Sequence, residues 1–353
     1  MVWNSQSCVT EISTIFKQGK AHGRISNTTC LLSYCNNNRL EWYCYIVIIL
    51  WLLVLLIGIL GNAFTLLCYI YTVKSWTTST VFLFNLALCD FTWILLIPFS
   101  AYYHLHKQAA YSIQIFCQFK RTFFDINIYG SIYFLTLISF DRYIGAVHPI
   151  CSLKWWNKNR AVSCTTAVWI FIFIESIPDF YYMFVVQRQR EAVACLDNIV
   201  EPLYFMLPVT ISRVLFGFLI PITVIFTCYI LTLKALRKMK THQQRRRRIV
   251  KPLVLVSAAM IVFAVAFIPY HIMIMAVLIY RTNYQLNSEN ISLIFIIYKL
   301  TEIICCISSC LNPFIFMLAS KKCQETLKTI QCSPKHRCLC CPSHKVRDIA
   351  AAL

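Results

Sequence analysis

Apolar runs of more than 18 residues recur along this chain, and the polar segments between them are short. A helix crosses a bilayer core with about 20 residues, so runs of this length predict membrane spans. Seven are expected, at roughly 43–72, 79–103, 114–146, 160–186, 209–237, 249–280 and 291–318. They are helix-length runs and not the short alternation of a membrane barrel. The expected fold class is therefore all-α membrane, with a seven-helix transmembrane domain over 43–318, an N-terminal segment 1–42 and a tail 319–353. Composition agrees: only 13% of the 353 residues are charged, where a soluble domain is near a quarter charged.

Orientation follows from the basic residues. Residues 1–40 hold Lys17, Lys20, Arg24 and Arg39 but no apolar run, so the first span is expected to act as the insertion signal. Of the 33 Lys and Arg, 21 fall at the links after spans one, three and five and in the tail, and 12 on the other side. The positive-inside rule then places the N-terminus outside and the C-terminus in the cytoplasm of a multi-pass plasma-membrane protein. An odd number of spans requires opposite sides, which is consistent. The net charge of +19 reads as a cytoplasmic skirt attracted to anionic lipid, and no nucleic-acid polymer is an expected partner. The run RRRRI at 245–249 is a solvated helix end or part of a docking face.

Processing sites sort by the same topology. Asn27 and Asn290 open N-x-S/T glycosylation acceptors on the outer side. Cys332, Cys338, Cys340 and Cys341 lie just past the last span, where palmitoylation is expected. Residues 321–330, KKCQETLKTI, read as a short amphipathic helix lying on the membrane. Most of the other cysteines, among 19 in all, fall within spans as small packing residues.

Several spans carry residues that hydrophobicity does not require. Asp90 is a carboxylate at mid-membrane depth, and such residues are functional by default. Asn62, Asn127, Ser131, Ser308, Ser309 and Asn312 can be placed at similar depth, as oxygen-bearing partners for a hydrated cation or as a polar network that joins helices. Pro269 removes a backbone hydrogen bond and makes a pivot in span six. In the outer halves stand Arg121, Asp125, Arg213, His271, Lys299 and Glu302. The last two, in YKLTEIICC at 298–306, are expected to face a pocket and not lipid.

One mark falls on each span in order. They are Gly61–Asn62; LFNLALCD ending in Asp90; Cys117 with SFDRYIGAVHP and its Asp141, Arg142 and Tyr143; Trp169 with Pro178; Pro221 with Tyr229; FAVAFIPYH with Phe267 and Pro269; and SSCLNPFIF with Asn312 and Pro313. Together they resemble the rhodopsin-like (class A) G-protein-coupled receptors over about residues 43–330. The finer pattern, LFNLALCD, NIYGSIYFLTLISFDRY with a following HP, and FIPYH, resembles the nucleotide-sensing purinergic branch and its small-carboxylate-sensing relatives.

That resemblance implies roles. Asp90, Asn127, Ser131, Ser308, Ser309 and Asn312 would hold an allosteric sodium ion that favours the resting state; no other cofactor is expected. Asp141 restrains Arg142, which is released when span six swings outward about Pro269, with Phe267 coupling ligand to pivot. A heterotrimeric G protein then enters a cleft lined by Arg142 and Tyr229; arrestin, a receptor kinase and membrane lipid are further expected partners. NPFIF puts Phe316 where the family carries Tyr, so the hydroxyl that would reach toward Tyr229 or Arg142 is missing. Cys117 and Cys195 match the family's bridge to the second outer loop. Cys8, Cys30 and Cys35 pair among themselves, pair with Cys44, or stay free.

Arg121 and His271 match ligand-binding positions of that family, and with Asp125, Arg213, Tyr270, Lys299 and Glu302 they make the expected ligand set, for a nucleotide or small organic anion. Three positions depart: Ile274 and Glu302 stand where relatives have basic residues, and Asp125 where they have a neutral or basic one. Arg121 and Asp125 are four apart and Lys299 and Glu302 three apart, so each pair can neutralise itself. The alternative is a zwitterionic or peptide ligand reaching from Arg121 to Glu302. An amine receptor would need its acid at Phe124, and an opsin its lysine at Cys306. No internal repeat suggests a transporter, and His104 and His106 make no catalytic set, so no enzyme is expected.

Overall fold

The computed structural model describes residues 41–72, 76–98, 110–181, 203–238, 243–283 and 288–319. All regular elements among them are helical: span one Glu41–Thr72, span two Thr78–Ile94, span three Ala110–Val147, span four Lys158–Tyr181, span five 203–238, span six 243–283 and span seven Ser288–Ala319. Five contain stretches long and apolar enough to cross a membrane; the stretches in spans two and seven, Thr78–Ile94 and Leu300–Phe316, are shorter. Span two ends for a local reason. Pro98 has no N–H to offer Ile94, and the chain tightens there, with the Leu96 N–H on the Trp93 carbonyl at 2.9 Å. The expected end at residue 103, the tail helix 321–330, Asn27, Cys195 and the four tail cysteines lie outside the described residues. So do the side chains of Arg121, Cys117, Asn290 and Lys299.

A short helix that the sequence reading did not anticipate, Pro149–Trp155, fills the link after span three. Pro149 at its first turn loses only an N–H that would have had no helical partner.

Span three is the post around which the bundle is built. Of its apolar stretch 72% is buried, against 22% in spans one, four and five, and it packs against spans two, four, five, six and seven. Spans one and four turn Leu52, Leu56, Phe173 and Ile177 outward, as a lipid-facing surface requires. Backbones approach closely where side chains vanish. A Cβ on Gly61 would sit 2.9 Å from Pro313 Cγ, so only glycine lets span one reach span seven there.

Two spans widen into π-type turns, at Arg213–Leu219 in span five and Phe263–Phe267 in span six. Each lies just before a proline, Pro221 and Pro269. A ring nitrogen cannot donate to the carbonyl four residues earlier, and a wide turn re-routes the freed bonds.

Candidate functional site

Three polar clusters lie inside the bundle. The first is at its middle. Asp90 is fully buried. It accepts hydrogen bonds from Asn127 Nδ2 at 3.0 Å, Ser131 Oγ at 3.1 Å, Ser309 Oγ at 2.9 Å and Asn312 Nδ2 at 2.8 Å. Spans two, three and seven therefore meet on one carboxylate. Span one joins through Asn62, whose Nδ2 donates to the Ser309 carbonyl at 2.8 Å. Ser308 does not join: its hydroxyl donates to the Cys305 carbonyl of its own helix at 2.7 Å. The amide oxygens of Asn62, Asn127 and Asn312 are buried without a hydrogen-bond partner among the described residues. One carboxylate, two hydroxyls and three orphaned amide oxygens form a hard-oxygen set that fits a cation such as sodium.

The second cluster lies in the half of the bundle where span three starts and span four ends. Arg213 occupies the first position of the wide turn in span five. Its Nη2 donates to Asp179 of span four and to the Glu175 carbonyl at 3.1 Å. Asp125 of span three stands 3.4 Å from the same nitrogen. Only 8% of the Arg213 side chain, 4% of Asp125 and 1% of Asp179 is exposed, so the group is sealed from water. The guanidinium also lies 5.8 Å over the Tyr129 ring. Beside it, Tyr133 donates to Glu175 at 3.2 Å. Asp125 thus meets a cation across the bundle, beyond the partner expected on its own helix.

His271 packs under this cluster. Its ring stacks on Phe218 at 4.3 Å and meets the edge of Tyr129 at 6.0 Å. Nδ1–H donates to the Phe267 carbonyl at 2.8 Å, and Nε2 is buried without a partner among the described residues. Tyr270 is buried between Phe124, at 5.8 Å, and Tyr298, at 6.1 Å. Glu302 is partly exposed one turn beyond Tyr298.

The third cluster closes the end of the bundle where span two starts and span three ends. Asp141 accepts from Thr78 Oγ1 at 2.7 Å, from Ser79 Oγ, and from Trp156 Nε1 at 2.9 Å. Arg142 Nε lies 3.8 Å from Asp141, a looser pairing. Tyr143 shares a hydrogen bond with His148 at 3.2 Å. Tyr229 is partly buried on span five. Phe316 is buried edge-on against Tyr69 at 4.4 Å, within a group that includes Trp76 and Phe84.

The sequence reading missed Glu175, Asp179, Thr78, Ser79 and Trp156. Two of these carried a signal. Glu175 and Asp179 are intramembrane acids four residues apart, one helical face, in a span with no other acid. The hydroxyls and the indole look like ordinary helix-start and loop residues until the fold brings them to Asp141.

The family model for the seven-transmembrane receptor (rhodopsin family) matches residues 61–316. The purinergic receptor purinoceptor 1 of Gallus gallus is 30% identical over 294 residues, covering 81% of this chain and 79% of that protein. Its Homo sapiens counterpart is 28% identical over 328 residues, covering 90% and 87%. Lysophosphatidic acid receptor 6 of Gallus gallus is 27% identical over 271 residues, covering 76% and 88%. The chain belongs to the rhodopsin family of seven-transmembrane receptors, and its type is that of the purinergic and lysophospholipid receptors.

Proposed function

We propose that this protein is a plasma-membrane receptor, N-terminus outside, that binds an extracellular ligand between its outer helix halves and activates a heterotrimeric G protein. The observation that carries the reading is the His271–Phe267 hydrogen bond. It links a side chain beside the outer cluster to the wide turn under Pro269, where span six has lost a backbone bond. A ligand that prefers the conformer with span six swung outward shifts the population toward it. Arg142 then leaves Asp141 and, with Tyr229, lines the cleft that takes a G-protein helix. Asp90, Asn127, Ser131, Ser309 and Asn312 would hold a sodium ion, whose positive charge would match the buried carboxylate and favour the resting conformer.

The test is nucleotide exchange on purified G proteins of several classes, with ligand-dependent distance measurements between labels on the cytoplasmic ends of spans three and six. Exchange without outward movement of span six overturns the mechanism; substrate flux into vesicles without exchange overturns the receptor reading.

A second reading of the ligand is favoured by Arg213. Relatives named for purines and lysophosphatidic acid point to an anionic ligand. Here the span-five cation is already taken by two carboxylates. A ligand carrying both charges, reaching from Arg121 to Glu302, suits that balance better than a polyphosphate, which needs several cations at once.

A further inference from the structure

We infer that Asp179 and Asp125 are specificity determinants: they hold Arg213 inside a buried sandwich and so keep this receptor from taking multiply charged anions. The inference rests on the receptor reading above and concerns its ligand chamber.

Arg213 is the cation in the outer half of span five, and it is sealed. Its Nη2 is engaged by Asp179 and the Glu175 carbonyl, and Asp125 faces it from span three. The wide turn at Arg213–Leu219 sets its position, and Gly217 lets Tyr129 pack beneath, since a Cβ there would lie 2.6 Å from that ring. Glu175 adds a third carboxyl, held by Tyr133. Three carboxyls therefore surround one guanidinium. An approaching phosphate would meet an acidic field and would have to displace a charge-assisted pair that already lies in low dielectric. Nε is a buried guanidinium nitrogen without a partner among the described residues. It offers one hydrogen bond, with the charge behind it already matched. Asp179 acts through Arg213, as a positioning residue, and need not touch the ligand.

The experiment uses the full chain in cell membranes and measures direct binding of a labelled nucleoside diphosphate and of inorganic pyrophosphate, with no G protein present. The variants are Asp179→Asn, Asp125→Asn and Asp179→Asn with Arg213→Gln. The wild-type receptor is expected to bind neither probe at micromolar concentrations. Asp179→Asn is expected to bind the diphosphate at least ten-fold more tightly, and Arg213→Gln is expected to remove the whole gain. A surface-expressed Asp179→Asn receptor with unchanged binding overturns the inference, as does a gain that survives Arg213→Gln. If Asp179→Asn does not reach the surface, Asp125→Asn is read in the same way. Phenylglyoxal modification of the wild-type receptor decides independently: protection of Arg213 supports the sandwich, and rapid labelling overturns it. Because binding is read without signalling, failure here leaves the G-protein reading intact, and a receptor that does not signal leaves this inference intact.

Discussion

Asn312 on span seven donates to Asp90 on span two at 2.8 Å, across a sequence separation of 222 residues. A buried carboxylate that loses one donor is destabilised by about 1–3 kcal/mol. Asn312→Ala should therefore lower the melting temperature of the detergent-purified receptor. Asp90→Asn should act differently. It should abolish any difference in ligand affinity between sodium and a bulky organic cation, measured by radioligand binding, whereas the wild type should bind agonist several-fold more weakly in sodium.

Trp156→Phe removes one of three donors from Asp141 and keeps the ring near Phe140 and Phe82. The loss is about 1–2 kcal/mol of restraint on the resting end. Basal nucleotide exchange should rise, and Thr78→Val should raise it further. Unchanged basal exchange in both would show that Asp141 does not restrain Arg142.

Phe316→Tyr restores the family hydroxyl in a place where the ring is packed on Tyr69. A hydroxyl buried there without a partner costs about 1–3 kcal/mol in the resting state. The balance should move toward the active conformer, read as higher basal exchange and a larger agonist response. A lower melting temperature with no change in exchange would mean the ring serves packing alone.

Gly61→Ala places a methyl 2.9 Å from Pro313 Cγ. Overpacking of this kind costs about 1–3 kcal/mol. The variant should unfold at lower temperature and reach the surface in reduced amount, while Gly145→Ala, which meets nothing within 4 Å, should not.

Arg213→Met leaves Asp125 and Asp179 buried without their cation, a change worth about 3–5 kcal/mol. Surface expression should fall sharply. Adding Asp179→Leu should recover part of it, because one of the two stranded carboxylates is then replaced by an apolar side chain. A double variant no better folded than Arg213→Met would place the damage elsewhere.

The seven spans, Asp90 with its partners and the Asp141–Arg142 pair were legible because each depends on a local pattern: an apolar run, a lone acid in that run, or adjacent charges. The short helix at Pro149–Trp155 was not, since seven residues carry too little periodicity to read. The partner of Arg213 was not legible either. Pairing across spans depends on how three helices are rotated, and the wide turn at Arg213 shifts that rotation in a way no spacing rule reports. Ser308 shows the converse: adjacent serines look equivalent in sequence, yet one helical step of about 100° sends Ser309 to Asp90 and Ser308 to its own backbone.

The wide turn at Phe263–Phe267 holds more residues than a regular helical turn. The stretches on either side of it are therefore out of phase. Tyr270 and His271 point where they do only because that extra residue has been counted in. Deleting a single residue there would let the wide turn close to an ordinary one with both halves keeping their faces, whereas the same deletion in a regular stretch would turn one half by about 100° relative to the other. Span six thus behaves as two dials on one shaft, and the angle between them is written into five residues of backbone.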